Sequence, residues 1–255
     1  MQTRLEPRER PATPAGLPLR LEGVTRRFAR RGREPLLALE QVSLELAHGE
    51  VLAVVGPSGC GKTTLLELVC GLQQPDEGTV TAAPAALMPQ RDLLLPWLSA
   101  LDNAALALRV EGVARTEARQ RAGRSLAALG LEGFERERPG ELSGGMRQRV
   151  AFVRTLLSGK PLLCLDEPFG ALDAITRVAM QEWLESALER EPRTVLLVSH
   201  DVEEAIVLAD RVLVLSGRPG AVRAEFHVDA PRPRNRTQPA LVELRAQALE
   251  ALRAG

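Results

Sequence analysis

Lys62 and Thr63 are the residues whose types and spacing first announce chemistry. They close the run Gly56-Pro57-Ser58-Gly59-Cys60-Gly61-Lys62-Thr63, which reads G-x-x-x-x-G-K-T, a phosphate-binding loop. Glycines let successive backbone N–H groups turn toward an anion, and the positive end of a following helix, opened by Thr64, adds to the attraction. In such a loop Lys62 reaches the β- and γ-phosphates of a nucleotide, and the Thr63 hydroxyl ligates Mg²⁺. Two carboxylates, Asp166 and Glu167, end the apolar run Leu162-Leu163-Cys164-Leu165. Taken alone the pair could be an exposed acidic turn. With a phosphate loop in the same chain, Asp166 is placed to hold Mg²⁺ through water and Glu167 to polarise the attacking water as a general base. Ser143-Gly144-Gly145 offers a hydroxyl and free N–H groups at a helix start. That is an anion site or a plain helix cap.

These residues need a scaffold, and the sequence supplies one. Val51-Leu52-Ala53-Val54-Val55 is a β-branched apolar run suited to a buried strand, and Thr64 to Cys70 reads as a helix ended by Gly71. Leu162 to Leu165, Thr194 to Val198 and Arg211 to Leu215 are further apolar strands, and Thr176 to Glu189 has the spacing of an amphipathic helix. The strand ending in Asp166 is expected beside the loop strand. Leu19 to Val24 and Leu36 to Leu46 alternate like half-exposed strands, Arg26 to Pro35 reads as a basic turn, Gln73 to Gly78 as a loop, and Ala86-Leu87-Met88 as a strand. Ser99 to Leu131 is rich in Ala, Leu, Arg and Glu, a helical composition. After a break at Pro139-Gly140, a second helix opens near Gly145 and runs to about Ser158. Strands alternating with helices argue for a parallel sheet covered by helices. The helical block from about 91 to 159 interrupts that alternation as an inserted subdomain.

Composition narrows the class. The 255 residues hold 33 basic and 33 acidic side chains, so bulk charge gives no support for nucleic-acid binding. Lys62 and Lys160 are the only lysines, so Lys62 stands out against a background of arginine. Cys60, Cys70 and Cys164 lack metal-ligand spacing and read as small buried thiols of a reducing compartment. No apolar run approaches the roughly 20 residues that span a bilayer. Residues 1–18, rich in Pro and Arg, lack the hydrophobic region of a secretory signal and read as a disordered tail.

Leu142-Ser143-Gly144-Gly145-Met146-Arg147-Gln148-Arg149 makes a resemblance specific. It is similar to the signature loop of ATP-binding cassette ATPases, L-S-G-G-Q followed by R-Q-R, with Met146 where Gln is usual. That side chain is not the family's main phosphate contact, so activity is expected to survive. Gln90 resembles the Q-loop glutamine, which senses Mg²⁺ and links to the helical subdomain. Ala171-Leu172-Asp173 resembles the D-loop, and His200, after Val198-Ser199, resembles the switch histidine that contacts the γ-phosphate. Phe28 stands where the family has an aromatic residue stacking on adenine; as a core side chain it would need no such role. The resemblance covers about 19 to 235 and implies an α/β phosphate-loop ATPase core with an antiparallel β subdomain and the inserted helical subdomain. The sequence beyond it, 236–255, reads as a C-terminal helix.

The segment Met88 to Asn103 is similar to the post-Q-loop stretch of nitrate/sulfonate/taurine-type importer ATPases, a group that includes relatives for thiamine precursors. Pro168 to Asp173, Ser216-Gly217-Arg218-Pro219-Gly220 and Ala230 to Arg234 also resemble that group. The resemblance implies ATP and Mg²⁺ as cofactors and a head-to-tail homodimer in which Ser143 to Gly145 of a second copy close each site. It also implies membrane permease subunits, an extracytoplasmic solute-binding protein, and a place on the cytoplasmic face of the membrane. Leu94-Leu95-Pro96-Trp97 is the expected docking surface for the permease. A cassette ATPase acting on nucleic acid or ribosomes is the alternative. The single cassette, the lack of heptads and the neutral charge weigh against it.

Overall fold

A computed structural model describes residues 18–190 and 193–253. The expected disordered tail lies, Pro18 apart, outside the described residues. Two sheets carry the site. A three-stranded antiparallel sheet has the order β2-β1-β4, from β1 (Leu19–Arg30), β2 (Arg33–Leu46) and β4 (Glu77–Ala82). A six-stranded sheet has the order β5-β6-β7-β3-β8-β9, from β3 (Val51–Val55), β5 (Ala85–Met88), β6 (Leu162–Asp166), β7 (Thr194–Ser199), β8 (Arg211–Leu215) and β9 (Val222–His227). Its first five strands are parallel and β9 runs antiparallel to β8.

The central strands are apolar throughout because both faces are covered. Val51, Ala53 and Val55 face one core together with Leu163, Leu165, Val195 and Leu197. That core is closed by α5 (Gly144–Leu156), α6 (Ala174–Arg190), α7 (Val202–Leu208) and α8 (Pro239–Arg253). Leu52, Val54, Leu162, Cys164, Leu196 and Val198 face the other, against α1 (Lys62–Val69) and the small sheet. Period-two alternation thus divides each strand between two cores. Cys60 and Cys164 are buried and Cys70 half-buried.

Four helices lie between β5 and β6. Besides α5 they are α2 (Ala100–Ala104), α3 (Leu106–Val110) and α4 (Arg115–Ala128), so the helical composition of Ser99 to Leu131 is realised as three helices parted at Ala105 and Glu111 to Ala114. The stretch Arg26 to Pro35 is strand rather than turn, except at Arg31-Gly32. Two of its arginines have partners on the neighbouring strand and the loop before it: Arg26 bridges to Asp76 at 3.2 Å and Arg27 to Glu77 at 2.7 Å. Gln73 to Gly78 is a loop only as far as Asp76, where β4 begins at Glu77. Three elements carried no sequence expectation: β4, β9, and α7, whose start is capped by Asp201 accepting from the Glu203 and Glu204 N–H groups.

Candidate nucleotide site

The glycine loop joins the end of β3 to the start of α1, and Leu65 N donates to Gly61 O at 2.9 Å as the helix begins. Lys62 is 7% exposed, and its ammonium donates to Gly56 O at 2.7 Å and Pro57 O at 3.0 Å. It lies folded over the loop that carries it. Cys60 is beneath the loop with its thiol buried, so only its backbone can face a ligand. Burial pushes the thiol pKa up, and neighbouring Lys62 opposes the shift.

One expectation of topology fails. β6 does not lie beside β3, because β7 is inserted between them. The carboxylate still reaches the loop: Thr63 Oγ1 donates to Asp166 Oδ2 at 2.8 Å. Burial raises the Asp166 pKa, the Thr63 bond lowers it, and the Glu167 charge raises it again. A hydroxyl and a buried carboxylate side by side are the hard oxygen donors a small divalent cation takes, with substrate phosphates completing the shell. Among the described residues no group of three or more His, Cys, Asp or Glu could hold a metal without such help.

Glu167 leaves the strand in the left-handed region, with φ of 48°. A non-glycine residue there is strained unless its surroundings hold it. Its N–H donates to Val198 O at 2.9 Å and its carbonyl accepts from Gly170 N at 3.1 Å. The turn swings its carboxylate between two other side chains. Gln90 Nε2 donates to Glu167 Oε2 at 2.9 Å, and His200 Nδ1 lies 3.2 Å from Glu167 Oε1. Gln90 comes from the end of β5 and His200 from the end of β7. Three strand ends thus converge on one carboxylate.

A cleft of about 310 Å³ gathers these groups. Phe28, Ser58, Gly59, Gly61, Lys62, Thr63, Thr64, Gln90, Asp166 and Glu167 line it, with Leu36, Ala38 and Arg218. Its Phe28 end is apolar, and the Arg26 guanidinium lies 4.9 Å from the Phe28 ring centroid. Gly56 and Pro57 touch it through the Lys62 ammonium. Ser143, Gly144 and Gly145 do not line it. They open α5, where Ser143 Oγ accepts from Met146 N at 3.2 Å. Arg218 is the functional candidate that the motifs missed. A larger cleft, about 640 Å³, lies around Trp183 and Lys160. It gathers no glycine loop and no paired carboxylates, so size does not locate the chemistry here.

A strand-to-helix glycine loop whose threonine bonds an aspartate, facing a glutamate held by a glutamine and a histidine, defines a phosphate-loop nucleoside triphosphatase. Residues 39–170 match the family model described as ABC transporter, and the chain belongs to that family. It is 46% identical over 221 residues to the aliphatic sulfonates import ATP-binding protein SsuB 1 of Rhodococcus jostii, covering 84% of this chain and 86% of that one. It is 43% identical over 195 residues to the formylaminopyrimidine import ATP-binding protein ThiZ of Halalkalibacterium halodurans, covering 75% and 78%. Among solved structures it resembles the ATP-binding cassette MJ0796, a dimer in a post-hydrolysis state bound to ADP and Pi, with TM-score 0.76 at 30% identity, covering 84% of this chain and all of that one.

The post-Q-loop segment divides against expectation. Leu94 is core, whereas Leu93 is 61% and Trp97 67% exposed. Buried Asn103 fixes that split, accepting from Leu95 N and donating to the Leu95, Leu98 and Ser99 carbonyls. Arg147 and Arg154 of α5 tie Asp92 and Leu93 to the helix that begins at Ser143.

Proposed function

We propose that this chain is the ATP-binding and ATP-hydrolysing subunit of an importer, driving uptake of a small solute of the sulfonate, nitrate, taurine or thiamine-precursor type through separate membrane subunits. The observation that carries the ATPase reading is Glu167, held between Gln90 and His200 at the cleft that Lys62 and Thr63 face. Lys62 and the loop N–H groups bind the β- and γ-phosphates. Thr63, Asp166 and Gln90 would hold Mg²⁺, which neutralises phosphate charge when bound. Phe28, with Leu36 and Ala38 behind it, receives adenine on its ring face. Glu167 takes a proton from the attacking water as its oxygen bonds the γ-phosphorus and the bond to the β–γ bridging oxygen breaks. Phosphate and ADP result. Gln90 and His200 orient that carboxylate.

The cassette takes in residues 19–235, with a helical part from about 91 to 159. Ser143 and Gly144 are exposed and lie outside the chain's own cleft. That fits a head-to-tail homodimer in which each copy closes its partner's site, the arrangement for which the dimeric MJ0796 relative gives support. Exposed Leu93 and Trp97 suit a permease contact. Among the described residues no helix is long and apolar enough to cross a membrane, so separate subunits would carry the solute, supplied by an extracytoplasmic binding protein. The named importer relatives and the neutral charge favour this over action on nucleic acid.

Glu167→Gln tests the catalytic part. The amide keeps the shape and cannot accept the proton, so turnover falls by at least about 10²-fold while ATP binding persists. Steady-state phosphate release with parallel nucleotide titration reads both. Near-normal hydrolysis would remove Glu167 as the base. Co-purification with two integral membrane subunits supports the transport part, and a soluble complex on RNA or DNA would reject it.

A further inference from the structure

The turn Ser216-Gly217-Arg218-Pro219-Gly220 lies against the phosphate loop, far from it in sequence. Arg218 Nε and Nη2 both donate to the Gly59 carbonyl, at 3.0 and 2.9 Å. Gly59 makes room for this: it has φ of 78°, and a Cβ there would lie 2.7 Å from Arg218 Nη2. The turn is itself fixed. Ser216 Oγ donates to Pro219 O at 2.8 Å and accepts from Ala221 N at 2.9 Å. Gly220 N donates to Ala38 O, and Gly220 O accepts from Glu40 N. A Cβ on Gly220 would lie 2.0 Å from the Cys60 carbonyl, so only glycine lets the turn seat this closely. The result is a strap that joins β2, the phosphate loop and the end of β8.

The strap aims its one charge into the cleft, which Arg218 lines together with Ser58, Gly59 and Lys62. A guanidinium carries five N–H groups in a planar fork. Two bonds to one carbonyl leave the others at the cleft surface. The fork matches phosphate oxygens. Asp166 and Glu167 also line the cleft and repel an anion unless a cation intervenes. The polyphosphate therefore has its attractive partners at the loop end, where Lys62 and Arg218 both lie.

We propose that Arg218 is a nucleotide-contacting residue: it grips the phosphate loop through Gly59 and binds the polyphosphate chain of ATP with the rest of its fork. The proposal rests on reading this cleft as the ATP site, and the experiment separates the two. Fluorescent-ATP titrations of the full chain compare the parent, Arg218→Gln, Arg218→Lys and Lys62→Ala, with unfolding midpoints measured alongside. Gln can still donate to the Gly59 carbonyl but carries no charge. Without the charge-assisted bond to phosphate, Arg218→Gln binds ATP at least about tenfold more weakly, and Arg218→Lys recovers part of the affinity. Equal binding by Arg218→Gln and the parent, with Lys62→Ala impaired, means that Arg218 only braces the loop and overturns the proposal. Unchanged binding by Lys62→Ala overturns the ATP-site reading itself. Should Arg218→Gln unfold, arginine labelling of the parent by phenylglyoxal decides: saturating ATP abolishes the labelling of Arg218 and adenosine does not, whereas labelling that ATP leaves intact rejects the proposal.

Discussion

Glu204 is a buried carboxylate away from the cleft. It is 5% exposed, and burial pushes its pKa up from 4.5 to about 7. The Ser199 hydroxyl, Arg177 and Gln181 favour its charged form, and Asp201 opposes it. The sign of the consequence follows from linkage. Between pH 4.5 and about 7 the folded protein keeps a proton that the unfolded chain has released, so stability falls as pH rises through that window. The gap corresponds to at most about 3 kcal/mol. Glu204→Gln keeps the shape without the charge. Its stability relative to the parent should therefore rise from pH 5 to pH 8, read as the difference between thermal midpoints. A difference independent of pH would sink the idea. Nothing in the sequence marked Glu204, because its environment comes from three elements. The phosphate loop is the opposite case: Lys62 and Thr63 derive their meaning from neighbours within one segment. Arg218 shows the limit of such reading, since its partner Gly59 is 159 residues away and neither has a local signature for the other.

At the scale of elements, strands and helices were legible where periodicity was strong, and their spatial order was not. Short apolar runs announced β3, β6, β7 and β8, but no run says that β7 will stand between β3 and β6. Arg26 to Pro35 looks like a turn for a similar reason, since basic composition suggests a loop until Asp76 and β4 supply carboxylates across the sheet. The Pro/Arg-rich segment before α8 hides a structural device. Arg234 is buried and donates Nη1 to the Ile206, Val207 and Ala209 carbonyls, Nη2 to Val228 O and Nε to Ala230 O. Its own N–H donates to Glu185 Oε1 at 3.0 Å. One side chain thus caps the C-terminal end of α7, whose first turn follows His200. Arg234→Ala would leave several buried carbonyls without donors, each worth about 1–3 kcal/mol. A decrease of at least about 3 kcal/mol is expected, as a lower urea midpoint at unchanged slope. Hydrogen exchange should rise first in α7 and the C-terminal segment, and uniform exchange through the sheet would contradict the cap.

For the whole molecule, the exposed Ser143-Gly144 start of α5 and the chain's own cleft belong to different sites if the dimer is head to tail. The connection between them runs through single residues: Arg147 and Arg154 hold the segment after Gln90 to α5, and a Cβ on Gly145 would meet Leu172 of the D-loop-like turn at 3.2 Å. Gln90 therefore connects Glu167 to the helix that would serve the partner's nucleotide. Two damaged chains test this sharply. Lys62→Ala spoils the loop and leaves the α5 start intact, whereas Ser143→Arg blocks the α5 start and leaves the loop intact. Each homodimer has two defective sites. A mixed dimer has one site with both defects and one with neither. With random pairing of equal amounts, half the dimers are mixed, so about a quarter of all sites are whole. The two variants should each show almost no ATP hydrolysis alone and recover up to about a quarter of the parent rate per site when mixed. No recovery, with both variants folded and able to pair, would mean that the loop and the α5 start do not meet across two copies.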